Sequence, residues 1–372
     1  MKTLIISPNF NGRKTWMRCA INTAEVLVEQ GHVVNVLTTN TEGQVGYEDF
    51  NGVHVHRVNS KILPDPLNLS VPNFFLFVKA LSRLVKKYNF NNVIINKSWF
   101  VTSLLACIYL RYKNIPYYVQ LDTMVGKVWF GTSKLMNIAM WIYARTINRF
   151  ILGGAKKCII YHEGLIPVMK EWNLSYEVIS QGVDIKMYEN AKPASDVISF
   201  KKERVCFLFV GRLDDIKRWQ EYLKVCEKVK QKRDVCFVFV CGNKHEEKRV
   251  ELQNAFKTLD IKFYGYRSDV ANVMKACDVL VLPSKCEGMP DVIMEAQSAG
   301  LCCIASNVGG IKTLITDKVN GYVFETFDEL ETKMLRLIDF KARREHYSNQ
   351  ALKSVKKHDK KLVGVRLNSL LS

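Results

Sequence analysis

Short apolar runs alternate with amphipathic stretches twice along this chain, and that alternation limits the fold more than any other feature. In the first half the runs are Leu4 to Ser7, Val33 to Thr38, Val53 to Val58, Val93 to Ile95, Tyr117 to Gln120 and Cys158 to Tyr161. Helical periodicity fills the gaps at Trp16 to Gln30, Phe74 to Lys87, Val101 to Tyr112 and Ser133 to Ile151. A second series runs through Val205 to Val210, Val235 to Val240, Ile261 to Tyr264, Val279 to Leu282 and Cys302 to Ala305, with helical stretches between. Runs this short and apolar are strands of a parallel sheet buried on both faces, and the helices are its crossovers. At 372 residues the chain is long enough for two domains of about 150 to 200 residues each. The polar stretch Ala191 to Ser199, with Pro193, reads as the linker. The expected organisation is an α/β chain with one Rossmann-like domain over 1–190 and a second over 191–350. A basic C-terminal helix over 351–372 is free to cross back to the first domain. Ligands of open α/β sheets sit at the carboxyl ends of the strands, so a cleft between the two domains is the expected site.

The chemistry concentrates in Cys277 to Gly310, CDVLVLPSKCEGMPDVIMEAQSAGLCCIASNVGG. A buried strand runs into a loop, and the loop into a helix expected to open on Pro290 and stop at Gly300. Glu287 in the loop and Glu295 on the helix bracket the helix start. A helix N-terminus suits a phosphate or a sugar hydroxyl, and a carboxylate accepts paired hydrogen bonds from a vicinal diol. Together these features describe a pocket for a sugar nucleotide. FLFVGRLDDIKRW adds Gly211, Arg212 and Lys217 at another strand end, a fork and a point charge able to reach one diphosphate. Taken alone, such a turn is more often exposed, with two solvated cations. FYGYR (263–267), QGVD (181–184) and Gly309–Gly310 are each weak signals, because turns need glycine for steric reasons alone.

In combination these motifs resemble the GT-B glycosyltransferases, and in particular the large retaining family four, the glycosyl transferases of group 1. The resemblance rests on QGVD (181–184), GRLDDIK (211–217), the spacing of Glu287 and Glu295, and the glycines at 300, 309 and 310. It covers about 130 residues of the second half, and in the first half only EQGHVVNVLT (29–38) and the architecture join it. The family implies two Rossmann-like domains facing a central cleft, and transfer from a UDP- or GDP-linked sugar with retention and no bound metal or other cofactor. By matching motif, Arg212 and Lys217 would grip the diphosphate, and Glu287 with the N–H groups of Gly288 and Met289 would hold the sugar. Glu295 would take the ribose diol, Gly211 would let the backbone approach, and Gly265, Tyr266 and Arg267 would border the base. Two departures stand out. The glycine-rich turn usual after the first strand is reduced to Gly12, with Arg13 beside it to compensate. Where many members carry a histidine after the strand that follows an IP dipeptide, this chain has Asp122 within a residue of that position, a candidate to orient or deprotonate the acceptor hydroxyl.

The formal charge of +18 is uneven. Thirteen Lys and Arg against the single acid Asp122 occupy 74–157, interleaved with aromatics in the stretches from Phe74 and from Lys127. Either stretch alone reads equally well as an amphipathic helix with a buried apolar face. The near absence of acids points to an anionic partner, an inner membrane surface with a polyprenyl-linked saccharide acceptor. No run of about 18 apolar residues exists for a spanning helix, and MKTLIISPNF is short for a secretory signal. Eleven patternless cysteines point to a reducing cytoplasm, with the protein peripheral at the membrane. His54 and His56 lack further metal ligands and read as a solvated strand face. A sugar-nucleotide epimerase on the same fold and a basic nucleic-acid-binding protein remain as alternatives. No RNA- or DNA-binding motif accompanies the charge, so nucleic acid is not an expected partner.

Overall fold

Residues 1–10, 18–40, 46–62, 70–127, 133–242, 246–256 and 259–372 are described by the computed structural model. They form two α/β units, Met1–Gly182 with Lys360–Ser372, and Val183–Asp359. The strands of the first are β1 (Lys2–Ile6), β2 (Val33–Thr39), β3 (Gly46–Phe50), β4 (Val53–Val58), β5 (Ser60–Ile62), β6 (Ser70–Pro72), β7 (Asn92–Asn96), β8 (Tyr118–Leu121), β9 (Lys157–Ile160) and β10 (Tyr176–Val178). Eight of them make one sheet in the order β10-β9-β8-β7-β1-β2-β4-β3, parallel except for β3, while β5 and β6 pair separately. Its central strands are buried on both faces, as their unbroken apolar runs require. Phe77, Leu81 and Leu84 of the helix Phe74–Tyr88 and Ala106 and Leu110 of the helix Val101–Tyr112 complete one side of that core.

The second unit has β11 (Val205–Val210), β12 (Val235–Val240), β13 (Ile261–Tyr264), β14 (Val279–Leu282), β15 (Cys302–Ser306) and β16 (Gly321–Phe324). Their order, β13-β12-β11-β14-β15-β16, is all parallel and doubly wound. Phe209, Phe239 and Phe263 form a row of rings across three strands, with centroids 4.9 and 5.1 Å apart.

The division of the chain differs from the sequence reading. Residues 191–199 are not a linker: they lead into the helix Ser195–Lys201, pinned by Ala194 N–H to Asn272 O (3.0 Å) and by Arg267 to Asp196 (2.7 Å). The boundary falls at Gly182–Val183 instead of 190, and the motif QGVD is explained by it. Gly182 has no room for a Cβ, which would meet the Lys360 Cα at 2.6 Å. Val183 N–H donates to His358 O (2.9 Å), and Asp184 caps the helix Ile185–Glu189 by accepting from Met187 N–H (3.2 Å). The crossing helix spans Lys360–Leu371 and not 351–372; residues before it continue the helix Lys341–Val355.

Two local expectations also change. Pro290 is the N-cap of the helix Asp291–Ala299 and not its first residue, while Gly300 ends it at φ +84 as expected. His54 and His56 are not a simple solvated face. Both pack against Tyr47 of the unanticipated strand β3, and His56 Nε2 bonds to the buried Asn35 (2.9 Å).

Candidate active site

The second sheet reverses its strand order between β11 and β14, and doubly wound sheets take ligands at that place. The loops leaving these two strands carry the residues that the sequence singled out. Gly211 and Arg212 follow β11, and Glu287 lies in the loop after β14. Lys217 Nζ meets Glu287 Oε1 at 2.6 Å, with the side chains only 16% and 12% exposed. An ammonium has three donors, and Glu287 takes one; a carboxylate accepts about four hydrogen bonds, and Lys217 supplies one. The pair therefore keeps capacity for a ligand bearing both anionic oxygens and hydroxyls. Arg212 is more exposed and pairs with Asp214 (3.0 Å), whose Oδ1 also accepts from the Lys217 N–H (3.1 Å) and closes the turn. A Cβ on Gly211 would meet only ordinary contacts, the nearest a Phe209 ring carbon at 3.4 Å, so the protein's own packing does not demand glycine there.

The Glu287 loop is held from both sides, and sequence reasoning missed how. Arg218, in the left-handed region at φ 45, donates to the carbonyls of Pro283 (2.7 Å) and Ser284 (3.2 Å) and lies over the Phe327 ring. Lys285 N–H donates to Ile216 O (2.7 Å), so the loops after β11 and β14 are stapled together. On the other side Gly310 N–H donates to Gly288 O (2.7 Å). Gly309, at φ +53, packs its backbone onto the Glu287 carbonyl, where any Cβ would collide. Among the described residues neither the Gly288 nor the Met289 N–H donates to a backbone carbonyl.

Glu295 is buried on the helix Asp291–Ala299, not solvated. Gly265, Tyr266 and Arg267 follow β13, and Tyr266 is exposed. The Arg267 guanidinium is committed elsewhere: it bridges Asp196 and Asp269, each at 2.7 Å, and stacks over Tyr264. Those charges hold Arg267 above the usual guanidinium range, and Arg267 in turn draws Asp196 down to about 2. Arg267 thus fixes the turn that carries Gly265 and Tyr266. Gly12 and Arg13 lie outside the described residues.

In the first unit Asp122 follows β8 and is not unpaired. It meets Lys97 Nζ at 2.6 Å, and Lys97 is a buried residue at φ 65 directly after β7. The Lys97 N–H donates to Gln120 O (2.9 Å) and its carbonyl accepts from Ser103 Oγ (2.6 Å). His162 Nε2 bonds to Asp122 O (2.8 Å), and burial lowers the His162 pKa. Asp122 Oδ1 is buried with no hydrogen-bond partner, as is His162 Nδ1. Oδ1 therefore keeps hydrogen-bonding capacity beside the positive-φ Lys97. A lysine at positive φ carries no local sequence signature, so only the coupling of the two strand ends reveals Lys97. No group of three or more His, Cys, Asp or Glu able to hold a metal occurs among the described residues.

Two doubly wound units with these strand-end groups define a GT-B glycosyltransferase. Sucrose-phosphate synthase from Thermosynechococcus elongatus has this fold, with a TM-score of 0.79 at 18% identity over 99% of this chain and 98% of that one. So does HepE of Anabaena in complex with UDP-glucose, at 0.73 and 17% over 100% and 99%. In sequence, the chain is 29% identical over 294 residues to the Escherichia coli UDP-Gal:alpha-D-GlcNAc-diphosphoundecaprenol alpha-1,3-galactosyltransferase, covering 74% of this chain and 73% of that one. Residues 192–354 match Glycosyl transferases group 1 and residues 18–186 match Glycosyltransferase Family 4, so the chain belongs to the family-four glycosyltransferases.

Proposed function

We propose that this glycosyltransferase moves a hexosyl residue from a UDP- or GDP-linked sugar to a saccharide carried on a polyprenyl diphosphate. The anomeric configuration is retained, and no divalent ion takes part. The observation that carries the reading is the Lys217–Glu287 pair at the switch point of the second sheet, with Arg212 on the adjoining turn. Lys217 and Arg212 oppose the charge that develops on the departing diphosphate, a contribution of about 10²- to 10³-fold per donor. Glu287 and the N–H groups of Gly288 and Met289 hold the sugar hydroxyls, Glu295 the ribose diol, and Gly211 leaves room for the diphosphate. In the transfer, the bond from the anomeric carbon to the diphosphate oxygen breaks. The bond to the acceptor oxygen forms on the same face, and the acceptor proton leaves with the diphosphate. Asp122, tied to Lys97, orients the acceptor hydroxyl through its unpartnered Oδ1. The lipid-linked acceptor is supported by the Escherichia coli relative, whose name specifies a diphosphoundecaprenol substrate and a UDP-linked donor.

A thermal-shift panel of nucleotide-sugars tests the donor, because a ligand held only by the folded state raises its melting temperature by mass action. One nucleotide-sugar is expected to stand out, and Lys217→Met is expected to abolish its shift. Product NMR is expected to show the donor's anomeric configuration, and EDTA is expected to leave the rate unchanged. A panel without any shift would end the reading, and donor turnover without acceptor would favour an epimerase.

A further inference from the structure

The two basic, aromatic stretches of the first unit have opposite fates. In the helix Phe74–Tyr88 the apolar stripe Phe77, Leu81 and Leu84 is core, as an ordinary amphipathic helix requires. The helix Lys134–Tyr143 buries none of its residues although it is mostly apolar. Leu135 is 78% exposed, Ile138 58%, Trp141 49% and Ile142 50%. The helical run continues through a π turn, Ala144–Asn148, to Gly153, and the outward stripe continues with it through Arg145, Arg149 and Phe150. From Leu135 to Phe150 the stripe is about 22 Å long.

A close backbone contact and the half-buried side chains Met136, Met140 and Tyr143 seat this helix. Gly126, at φ +78, lies against the Met140 carbonyl where a Cβ would collide, and Tyr143 Oη donates to Ser98 O (2.9 Å). The side chains of Leu135, Ile138, Trp141 and Ile142 point away from that seat and stay exposed. Their cations are arranged on the rings: the Arg145 guanidinium lies 4.1 Å from the Trp141 centroid and that of Arg111 4.3 Å from Phe150. No acid lies between 74 and 162 except Asp122, which Lys97 neutralises.

We infer that this stripe seats the first unit on an anionic phospholipid bilayer, the apolar side chains entering the acyl boundary and the arginines engaging headgroup phosphates. A predominantly positive field around exposed aliphatic and indole groups fits that surface, with Glu171, near Arg145, held by Lys127. No helix of the described residues is long and apolar enough to cross a membrane, so the contact lies in the interface plane. The inference stands apart from the identity of the donor.

Sedimentation of the full chain with vesicles of phosphatidylcholine alone, or mixed with phosphatidylglycerol, tests it. The wild type is expected to bind only the mixed vesicles and to release in high salt. Ile138→Glu/Trp141→Glu and, separately, Arg145→Glu/Arg149→Glu are each expected to weaken binding by at least about tenfold. Melting temperatures and transfer to a water-soluble acceptor should be unchanged in both, which separates the surface from the chemistry. Wild-type indifference to vesicle charge, or variants that bind as the wild type does, would overturn the inference. So would a wild-type dimer in solution that the same substitutions dissolve, since the stripe would then be a contact between copies.

Discussion

At Gly309 a single hydrogen in place of a methyl decides where a carboxylate stands. Its backbone abuts the Glu287 carbonyl at φ +53, and the next residue, Gly310, donates to Gly288 O. Gly309→Ala must therefore push the Glu287 loop away from Lys217 while leaving the sheet intact. Misplacement of that size costs about 100-fold in turnover. Steady-state kinetics should show this fall, with circular dichroism unchanged; a rate within about threefold of the wild type would mean that the loop position is not used. Asp122 poses a different question, because Lys97 already occupies one of its oxygens. Asp122→Ala is expected to cut turnover by at least about tenfold without weakening donor binding. Asp122→Asn keeps an acceptor oxygen and should retain most of the rate if the group orients the acceptor hydroxyl; loss equal to that of the alanine variant would identify a base.

The hairpin β3–β4 shows what an element can hide and what it costs. Its turn, Asn51–Gly52, has both residues at positive φ (53 and 80), the arrangement that two-residue hairpins favour. That dipeptide was a legible signal, but GYEDF has no apolar periodicity because it is an edge strand with little to bury. The reverse holds for β11, β12 and β14, whose limits are all readable because both faces are core. Arg218 and Lys97 were illegible for another reason: each acts on a carbonyl or carboxylate brought in by a different strand end, which no window of sequence contains. The hairpin also places His56 beneath Tyr47 and against Asn35, where burial, aided by His54, lowers its pKa from 6.5 to about 4. Between those values the unfolded chain binds the proton and the folded one does not, so stability falls as the pH drops from 6.5 towards 4. Denaturant titrations across that window should show the loss, and His56→Gln should flatten it; an equal slope in the variant would assign the acid sensitivity elsewhere.

On the scale of the whole chain, the first unit is completed by the last residues. The helix Lys360–Leu371 lies on the helix Arg18–Glu29, so closely that a Cβ on Gly364 would sit 3.3 Å from Val26. His32 joins Asn368 (2.8 Å) to Thr3 of β1 (2.9 Å), Lys360 pairs with Glu29 (2.8 Å), and Arg366 donates to the Val178 carbonyl (2.7 Å). Val363, Leu367 and Leu371 are buried there, each worth about 1.5–3 kcal/mol. A chain ending at Asp359 keeps every residue of the second unit and removes only this cover. The apolar surface that these side chains cover then meets water, so the truncated chain is expected to melt several degrees lower, each kcal/mol lost being worth about 2–4 °C for a unit of this size. Hydrogen exchange separates the units directly: amides of β1, β2 and the helix Arg18–Glu29 should lose protection, while those of β11 and β12 keep theirs. Equal loss in both sheets would show that the units melt together, and no loss in either would show that the helix is a passenger. The first outcome follows from the contacts, because the bonds from Lys360 to Glu29, Arg366 to Val178 and Asn368 to His32 all end in the first unit.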